Sequence, residues 1–393
     1  MTSRERFLAA VNHKNPDRIP LDLGVGKSCA IHKGFYEKLL RYFGIKEDII
    51  ISSKVAQTAV VSEQVLQKLE CDIRCPSPMF GAGSSQSGGY NTGILGLSAT
   101  KEWEDEQYYY LIDGFGAYTK MPKDGGLYYD MYKAPLEGMD EAEDANYVWP
   151  TPPKISPDGY KNAMQYLSEG YPITFVQQFA NGFLQHGPRI YGYIDWFAML
   201  SNEEKRVNKF LDKLLELKMQ HFDNIFDMYG DNVDVVAEND DLGMQDRPFI
   251  SMEMWKKYMI PRWKILFEHI RKRSSTVQIE FHSDGATADF IPDLIDAGMQ
   301  ILNPVQISCA GMDPARLKKE FGKDLTFWGA GVDTQFVLPF GTVKEVKEDV
   351  KRNIDIRKKD GGFIFSTIHN VQAGVPIENF IAMWETFMEN RDY

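Results

Sequence analysis

The sequence predicts an α/β protein built on a (β/α)₈ barrel. Short apolar runs alternate with amphipathic helical stretches, Gly and Pro separate them, and the alternation repeats to a count of eight. The chain has 393 residues, of which 43% are hydrophobic and 25% charged, as in a globular protein with a sizeable core. A doubly wound open sheet would show the same alternation and remains the structural alternative. We expect residues 1–393 to form a single barrel domain.

The predicted strands are short apolar runs bounded by turn residues: Arg18–Leu23, Asp72–Pro76, Pro172–Phe179, Val233–Glu238, Val277–Ser283, Gln300–Val305, Leu325–Gly329 and Phe363–Ile368. Helical periodicity is clearest in Asn202–Tyr229, where the apolar residues fall on one stripe. The other predicted helices are Ser3–Asn12, Gly34–Phe43, Met252–Arg271, Ala288–Ala297, Asp313–Phe321, Val343–Lys358 and Ile377–Asn390.

Residues 79–154 interrupt this alternation after the second predicted strand. Aromatic-rich stretches are broken there by DGFG and PKDGG, which are typical of hairpin turns. The segment therefore predicts a β-rich insertion that lies over the barrel mouth. A plain surface hairpin and a functional lid fit the pattern equally well.

Charge and composition exclude several classes of protein. Lys and Arg number 44 and Asp and Glu 56, giving a net charge of −12, so neither nucleic acid nor an anionic membrane is expected as a partner. No apolar run reaches the roughly 18 residues of a membrane span. The charged start MTSRER does not resemble a signal peptide, and four Cys do not form a disulfide scaffold, so we expect a cytoplasmic protein.

Chemistry-bearing residues follow several of the predicted strands. In a barrel the active site lies at the carboxyl ends of the strands, where the fourth strand leads to Glu238 and Asp240, the fifth to His282, and the eighth to His369 and Asn370. We predict catalytic roles for Glu238, Asp240 and His282, and a zinc site formed by Glu238, His282 and His369. The alternative is that the two histidines only hydrogen-bond neighbouring loops.

A substrate pocket is predicted from the aromatic residues that follow the third strand, together with one polar residue after the eighth. The predicted substrate-binding residues are Phe179, Phe183, Tyr193, Trp196 and Asn370. Core packing explains the aromatic residues equally well. No G-x-x-x-x-G-K-[ST], G-x-S-x-G or corrinoid-binding D-x-H-x-x-G motif occurs, so any corrinoid would have to arrive on another protein.

Long runs of the sequence resemble the uroporphyrinogen decarboxylase superfamily. The runs are RERFLAAVNHKNPDRIPLDLG, FHSDGATADFIPDLIDAGMQILNPVQ and GGFIFSTIHNVQAGVPIENFIAMWE. The resemblance implies a (β/α)₈ barrel and either porphyrin decarboxylation or corrinoid-dependent methyl transfer. True decarboxylases carry W-x-M-R-Q-A-G-R after the first strand, whereas this chain has PLDLGVGKS there, without an arginine cluster. This difference disfavours a uroporphyrinogen-decarboxylase-like lyase.

The methyltransferase branch implies a metal site. In its thiol-methylating members zinc is held by H-x-C and a distant Cys; by position, His282 matches the His, and Asp284 and His369 stand where the cysteines would be. Nitrogen and oxygen donors leave zinc harder, which suits an oxygen-bearing substrate. Methyltransferase I components of anaerobic aryl O-demethylases are similar overall and use two Glu and a His; Glu238 and Glu253 are separated by fourteen residues, as in that motif.

The resemblance thus implies a methyltransferase I of a corrinoid-dependent O-demethylase. It would move a methyl group from a small aryl methyl ether, of the guaiacol or vanillate type, to cob(I)alamin on a separate corrinoid shuttle protein. Zinc on the ether oxygen, or a proton from Glu238 or Asp240, would stabilise the departing phenolate. Methylcobalamin-dependent transfer to a thiol or amine, a lyase, and binding without turnover stay open as alternatives.

Overall fold

The computed structural model describes residues 1–76, 99–154, 157–176 and 179–393. Strands within these ranges are short, and each has two to five residues. They are β1 (Ile31–His32), β2 (Ile51–Ser53), β3 (Thr58–Ala59), β4 (Lys101–Glu104), β5 (Tyr108–Ile112), β6 (Tyr118–Pro122), β7 (Asp130–Lys133), β8 (Thr174–Phe175), β9 (Val235–Asn239), β10 (Gln278–His282), β11 (Ile301–Asn303), β12 (Thr326–Trp328) and β13 (Phe363–Ile364).

Six parallel strands form the main sheet in the order β13-β12-β11-β10-β9-β8. Two extended segments close this sheet into a barrel: Leu21 bridges Phe365 beside β13, and Arg74 bridges Ile173 beside β8. The two segments meet where the amide of Asp72 donates to the carbonyl of Leu21, at 2.8 Å. The predicted (β/α)₈ barrel is therefore confirmed, in place of the open sheet.

The first two predicted strands contribute only single bridges to the barrel. The amide of Leu21 donates to the carboxylate of Asp72 at 2.9 Å instead of to a strand carbonyl, and Arg6 and Arg18 bind the same carboxylate. The Asp72 side chain thus replaces a backbone hydrogen bond between the first two barrel segments, so these segments do not form regular strands.

Helices follow the barrel strands on the outside, and all eight predicted helices are present with small shifts at their ends. The helices are α1 (Ser3–Val11), α2 (Lys33–Phe43), α3 (Glu63–Lys68), α4 (Glu141–Asp144), α5 (Pro157–Ser168), α6 (Phe183–Tyr191), α7 (Tyr193–Asn202), α8 (Glu204–Tyr229), α9 (Met252–Met254), α10 (Ile260–Arg273), α11 (Ile291–Ala297), α12 (Pro314–Phe321), α13 (Val337–Phe340), α14 (Val343–Arg357) and α15 (Ile377–Asn390). A π-helical turn at Trp255–Met259 joins α9 to α10.

Inward-facing side chains fill the barrel in layers. At the lower end, Phe7 and Val11 of α1 pack against Val235, Ile301 and Trp328, which project inward from three different strands. Helix α1 begins at a capping box, in which the Thr2 hydroxyl accepts from the Glu5 amide and the Glu5 carboxylate accepts from the Thr2 amide. The amino-terminal helix therefore closes the lower end, and the opposite end, where the strands stop, stays available for a site.

Two antiparallel sheets lie outside the barrel. Strands β4 to β7 form a four-stranded meander in the order β4-β5-β6-β7, which confirms a β-rich insertion after the second barrel segment. Residues 79–98 of the predicted insertion lie outside the described ranges. The second sheet, in the order β1-β3-β2, is not predicted by the sequence. The two sheets touch where the Tyr129 amide donates to the Val55 carbonyl and Lys54 pairs with Glu102.

Among the residues that the structure describes, no helix is both long enough and apolar enough to cross a bilayer. This agrees with the absence of a long apolar run in the sequence.

Candidate metal centre and cavity

Two histidines and an aspartate converge at the carboxyl ends of the barrel strands. His282 is the last residue of β10, Asp284 lies two residues beyond it, and His369 lies in the loop after β13. Oδ2 of Asp284 is 3.5 Å from Nε2 of His282 and 3.5 Å from Nε2 of His369. One potential ligand atom from each residue lies within 4.8 Å of the other two, so the three could hold a single metal ion.

Strand register explains why His282 points into the barrel. His282 is paired with Asn239 of β9 on one side and Asn303 of β11 on the other, so the three side chains share the inner face. Glu280, two residues earlier, lies on the same face one layer deeper and is buried.

A tight turn after β10 brings Asp284 back over the strand end. The Asp284 amide donates to Oδ1 of Asp241 at 3.2 Å. Gly285 follows with φ of +91°, and a Cβ there would lie 2.1 Å from the carbonyl oxygen of Gly243. Only glycine combines this backbone conformation with such a close approach.

Asn303 fixes the ring of His282. Its Oδ1 lies 2.7 Å from Nδ1 of His282, while its Nδ2 donates to Oγ of Ser28 at 3.1 Å. Because the amide oxygen can only accept, the proton of a neutral His282 is held on Nδ1, and the lone pair of Nε2 faces Asp284. This is the arrangement usually found behind a metal-bound histidine, where the second ring nitrogen donates to a carbonyl or carboxylate. Sequence reasoning missed Asn303 and Ser28, which are 275 residues apart.

The cluster opens into a large cavity of about 1260 Å³. His282, His369 and Asn370 line its inner end, and the β1-β3-β2 sheet, the loop after the first barrel segment, Tyr128 and Tyr129 form its walls. Nearby, Oδ1 of Asn370 and Oε1 of Gln372 are buried and have no hydrogen-bond partner among the described residues. Both residues line the cavity, so their side-chain amides are polar groups in its wall.

Asp22 shapes the wall formed by the loop after the first barrel segment. Its buried carboxylate accepts from the amides of Gly26 at 3.0 Å and Val25 at 3.3 Å, and from Nε1 of Trp328 at 3.1 Å. Burial raises the pKa of this carboxyl, against the effect of its hydrogen bonds. The sequence contained no pattern that singled out Asp22.

Glu238 lies on the outside of the barrel wall, so the structure does not support it as a metal ligand or as a cavity acid. Residues Val235, Ala237 and Asn239 of β9 pair with the inward residues of β10, which turns Glu238 toward the helices. There Nζ of Lys218 donates to Oε2 of Glu238 at 2.6 Å, and both side chains are buried. Glu238 and Asp240, two residues apart at the end of β9, share one face, and this is the outward face.

Asp240 shares that outward face and caps a helix. Its two carboxylate oxygens accept from the amides of Leu184 and Gln185 at the start of α6, each at 2.8 Å. Burial raises the pKa of Asp240 to about 7, while the two amide donors act in the opposite direction. This position also corrects the catalytic prediction, because Asp240 is fully buried and does not line the cavity.

Of the five predicted substrate-binding residues, Asn370 alone lines the cavity. Phe179, Phe183 and Trp196 are completely buried in the core, where they pack against aromatic rings of other elements. Tyr193 is 63% exposed at the start of α7. The aromatic run after the third strand therefore serves packing, the alternative that the sequence left open.

Glu253, which the resemblance associated with the zinc motif, is exposed in the short helix α9. Its carboxylate is not part of the cluster formed by His282, Asp284 and His369.

Comparisons with known proteins agree with this fold. The sequence profile of uroporphyrinogen decarboxylase (URO-D) matches residues 184–389, just over half of the chain. A solved methyltransferase from Methanosarcina mazei superposes with a TM-score of 0.63 at 14% identity, covering 99% of each chain; at this identity the likeness concerns the fold. Xylanase B from Clostridium stercorarium F9 gives a TM-score of only 0.38 at 13% identity over 61% of this chain and 86% of its own.

No curated protein sequence matches the chain. The profile match spans most of the barrel strands, α8 and the segments that carry His282, Asp284 and His369. On this evidence the chain belongs to the uroporphyrinogen decarboxylase family.

Proposed function

We propose that the protein is the methyltransferase of a corrinoid-dependent O-demethylase, which moves a methyl group from an aryl methyl ether to cob(I)alamin on a separate protein. The observation that carries the proposal is the His282–Asp284–His369 cluster at the inner end of the cavity. Its donors are two imidazole nitrogens and a carboxylate oxygen, a set suited to a substrate that reacts at oxygen.

The residues of the cluster fit zinc. Catalytic zinc sites commonly use three protein ligands of nitrogen and oxygen type and keep a fourth position for water or substrate. His282 and His369 would supply Nε2, and Asp284 would supply a carboxylate oxygen. Asn303 already holds the far side of the His282 ring, and 45% of the His369 side chain is exposed. When bound, zinc would supply Lewis-acid stabilisation of the departing oxygen, worth several kcal/mol in general.

The protein's own residues would orient the ether and keep its ring in place. The side-chain amides of Asn370 and Gln372, which line the cavity, would offer hydrogen-bonding groups to a hydroxyl next to the methoxy group, as in guaiacol. The cavity exceeds the roughly 300–1,000 Å³ of an ordinary small-molecule pocket, which leaves room for an approaching methyl acceptor.

Electron balance requires no nucleophile from this chain. The lone pair of cobalt(I) forms the new bond to the methyl carbon, and the electrons of the carbon–oxygen bond remain on the phenolate. A phenolate has a conjugate-acid pKa of about 10, by analogy with tyrosine, so its departure needs stabilisation at the oxygen. A cluster that could hold a metal ion at the inner end of the cavity supports this requirement.

The alternatives find less support in the structure. Transfer to a thiol is usually assisted by thiolate ligands, and the cluster contains no cysteine; Cys309 donates instead to Gln245. The lyase alternative would require binding uroporphyrinogen, whose many carboxylates need cationic partners. Arg74, the one described arginine that lines the cavity, is already paired with Glu63.

Anaerobic incubation of the protein with methoxyarenes and a reduced corrinoid tests the proposal. We expect methyl-cobalt formation in the visible spectrum with the unmodified protein, and a loss of at least about 100-fold in H282A and D284N, since both remove a donor that stabilises the transition state. H269A is the matched control, because His269 pairs with Asp223 on the surface. Full activity of H282A, or no methyl transfer from any methoxyarene, would contradict the proposal.

A further inference from the structure

We propose that the cavity selects methoxyarenes that carry no anionic substituent and discriminates against carboxylates such as vanillate. This inference rests on the proposed function and adds a substrate class to it. It follows from the charges that line the outer part of the cavity, beyond the histidine–aspartate cluster.

Arg74 is the one arginine or lysine lining the cavity among the side chains that the structure describes, and its donors are all engaged. Its Nε and Nη2 donate to the two carboxylate oxygens of Glu63, each at 2.8 Å. Nη1 donates to the carbonyls of Cys71 and Ile73, and Nη2 also reaches the hydroxyl of Tyr171 at 3.3 Å. A guanidinium has five N–H donors, so none is left for a substrate carboxylate.

Carboxylates dominate the rest of the charged lining. Glu47, Asp48, Glu63 and Glu169 line the outer part, and the wall between them and the cluster consists mainly of small neutral residues. Residues 77–98, 155–156 and 177–178, which lie outside the described ranges, contain no charged residue in the sequence, and the side chain of Lys27, next to the lining residue Gly26, is also outside the described part. Among the described side chains, the cavity has no arginine or lysine besides the paired Arg74 to balance its acidic lining.

An anionic substituent is disfavoured here for two physical reasons. It loses hydration without gaining a free cationic partner among the described side chains, and it is repelled by the lining carboxylates. With the reacting oxygen at the cluster, a substituent on the opposite side of the ring extends away from it, toward the acidic outer part. Because Asp48 and Glu169 are exposed and solvent screens their charges, we expect the repulsion to lower the affinity for an anionic substrate by about tenfold at most.

Vanillyl alcohol and vanillate form a matched pair for the test, because they differ only in one ring substituent, which is a neutral hydroxymethyl group in the first and a carboxylate in the second. We would measure their binding to the full-length protein by calorimetry and their demethylation with reduced corrinoid. We expect vanillyl alcohol to bind up to about tenfold more tightly, and the double variant Asp48→Asn, Glu169→Gln to narrow this ratio several-fold. The control is Glu385→Gln, Glu389→Gln, which makes the same change in net charge on the exposed face of α15.

The outcomes separate this inference from the proposed function. Vanillate binding as tightly as vanillyl alcohol, or an equal effect of the control variant, would overturn the charge selectivity even if both compounds are demethylated. Tight binding of vanillyl alcohol without any methyl transfer would contradict the proposed function and leave the charge selectivity of the cavity standing. If neither compound binds, both proposals are wrong.

Discussion

Asn303 provides a sharp test of how the candidate metal centre is built. In N303A, the hydrogen bond of 2.7 Å to Nδ1 of His282 and the donation of 3.1 Å to Ser28 are both lost. The ring of His282 is then free to rotate or to place its proton on Nε2. Loss of such a supporting partner typically lowers metal affinity by about 10–100-fold. We therefore expect zinc affinity to fall by this factor.

Protein stability should also fall in N303A, because the variant leaves a buried N–H without an acceptor. The expected cost is about 1–3 kcal/mol in the free energy of unfolding. N379A is the matched control: Asn379 is also buried and donates to the carbonyls of Leu338 and Gly341, and none of these three residues belongs to the cluster or lines the cavity. It should lose comparable stability and retain zinc affinity.

Competition with a zinc chelator, together with thermal unfolding of the apo-protein, measures the two effects separately. The positioning role of Asn303 would be refuted if N303A bound zinc within about twofold of the affinity of the unmodified protein and lost stability only as N379A does.

Three further predictions concern the residues around the site. Lys218→Met should destabilise the protein by about 3–5 kcal/mol in a denaturation experiment, since it leaves Glu238 buried without its cation. The variant should not change zinc affinity, and a large change would indicate that Glu238 is a zinc ligand after all. Asp240→Asn should cost about 1 kcal/mol, because an amide oxygen cannot replace both carboxylate acceptors at the start of α6. The raised pKa of Asp240 also means that the folded state binds a proton more tightly than the unfolded state. The contribution of Asp240 to the free energy of unfolding is therefore complete below the ordinary carboxyl pKa and is lost as the pH rises through about 7. Unfolding measured between about pH 4 and 7 should show a flatter pH dependence in this variant than in the unmodified protein.

Periodicity alone predicted the barrel and the eight expected helices. The clearest case is α8, whose apolar stripe faces the sheet: Tyr229 of α8 and Phe175 of β8 have ring centroids 4.8 Å apart. Helices α6 and α7 were not predicted, and α6 contains Gly187 and Pro188, which usually interrupt helices. It nevertheless forms, since Asp240 satisfies two amides at its start and a Cβ on Gly187 would collide with Trp196.

The site could be predicted only in part. Alternation along a strand puts residues two apart, such as Glu238 and Asp240, on the same face, but it does not say which face points into the barrel. That choice depends on register: Asn239, not Glu238, is paired with His282. The contribution of Asn303 depends on contacts between distant parts of the chain, which periodicity does not encode.

Crystallography of the protein soaked in zinc, with diffraction data collected on both sides of the zinc absorption edge, tests the central claim most directly. The account predicts a single strong anomalous peak bonded to Nε2 of His282, Nε2 of His369 and a carboxylate oxygen of Asp284, at distances of about 2.0–2.2 Å. A zinc ion bound by other residues, or no anomalous peak at this cluster when zinc is in excess, would contradict it.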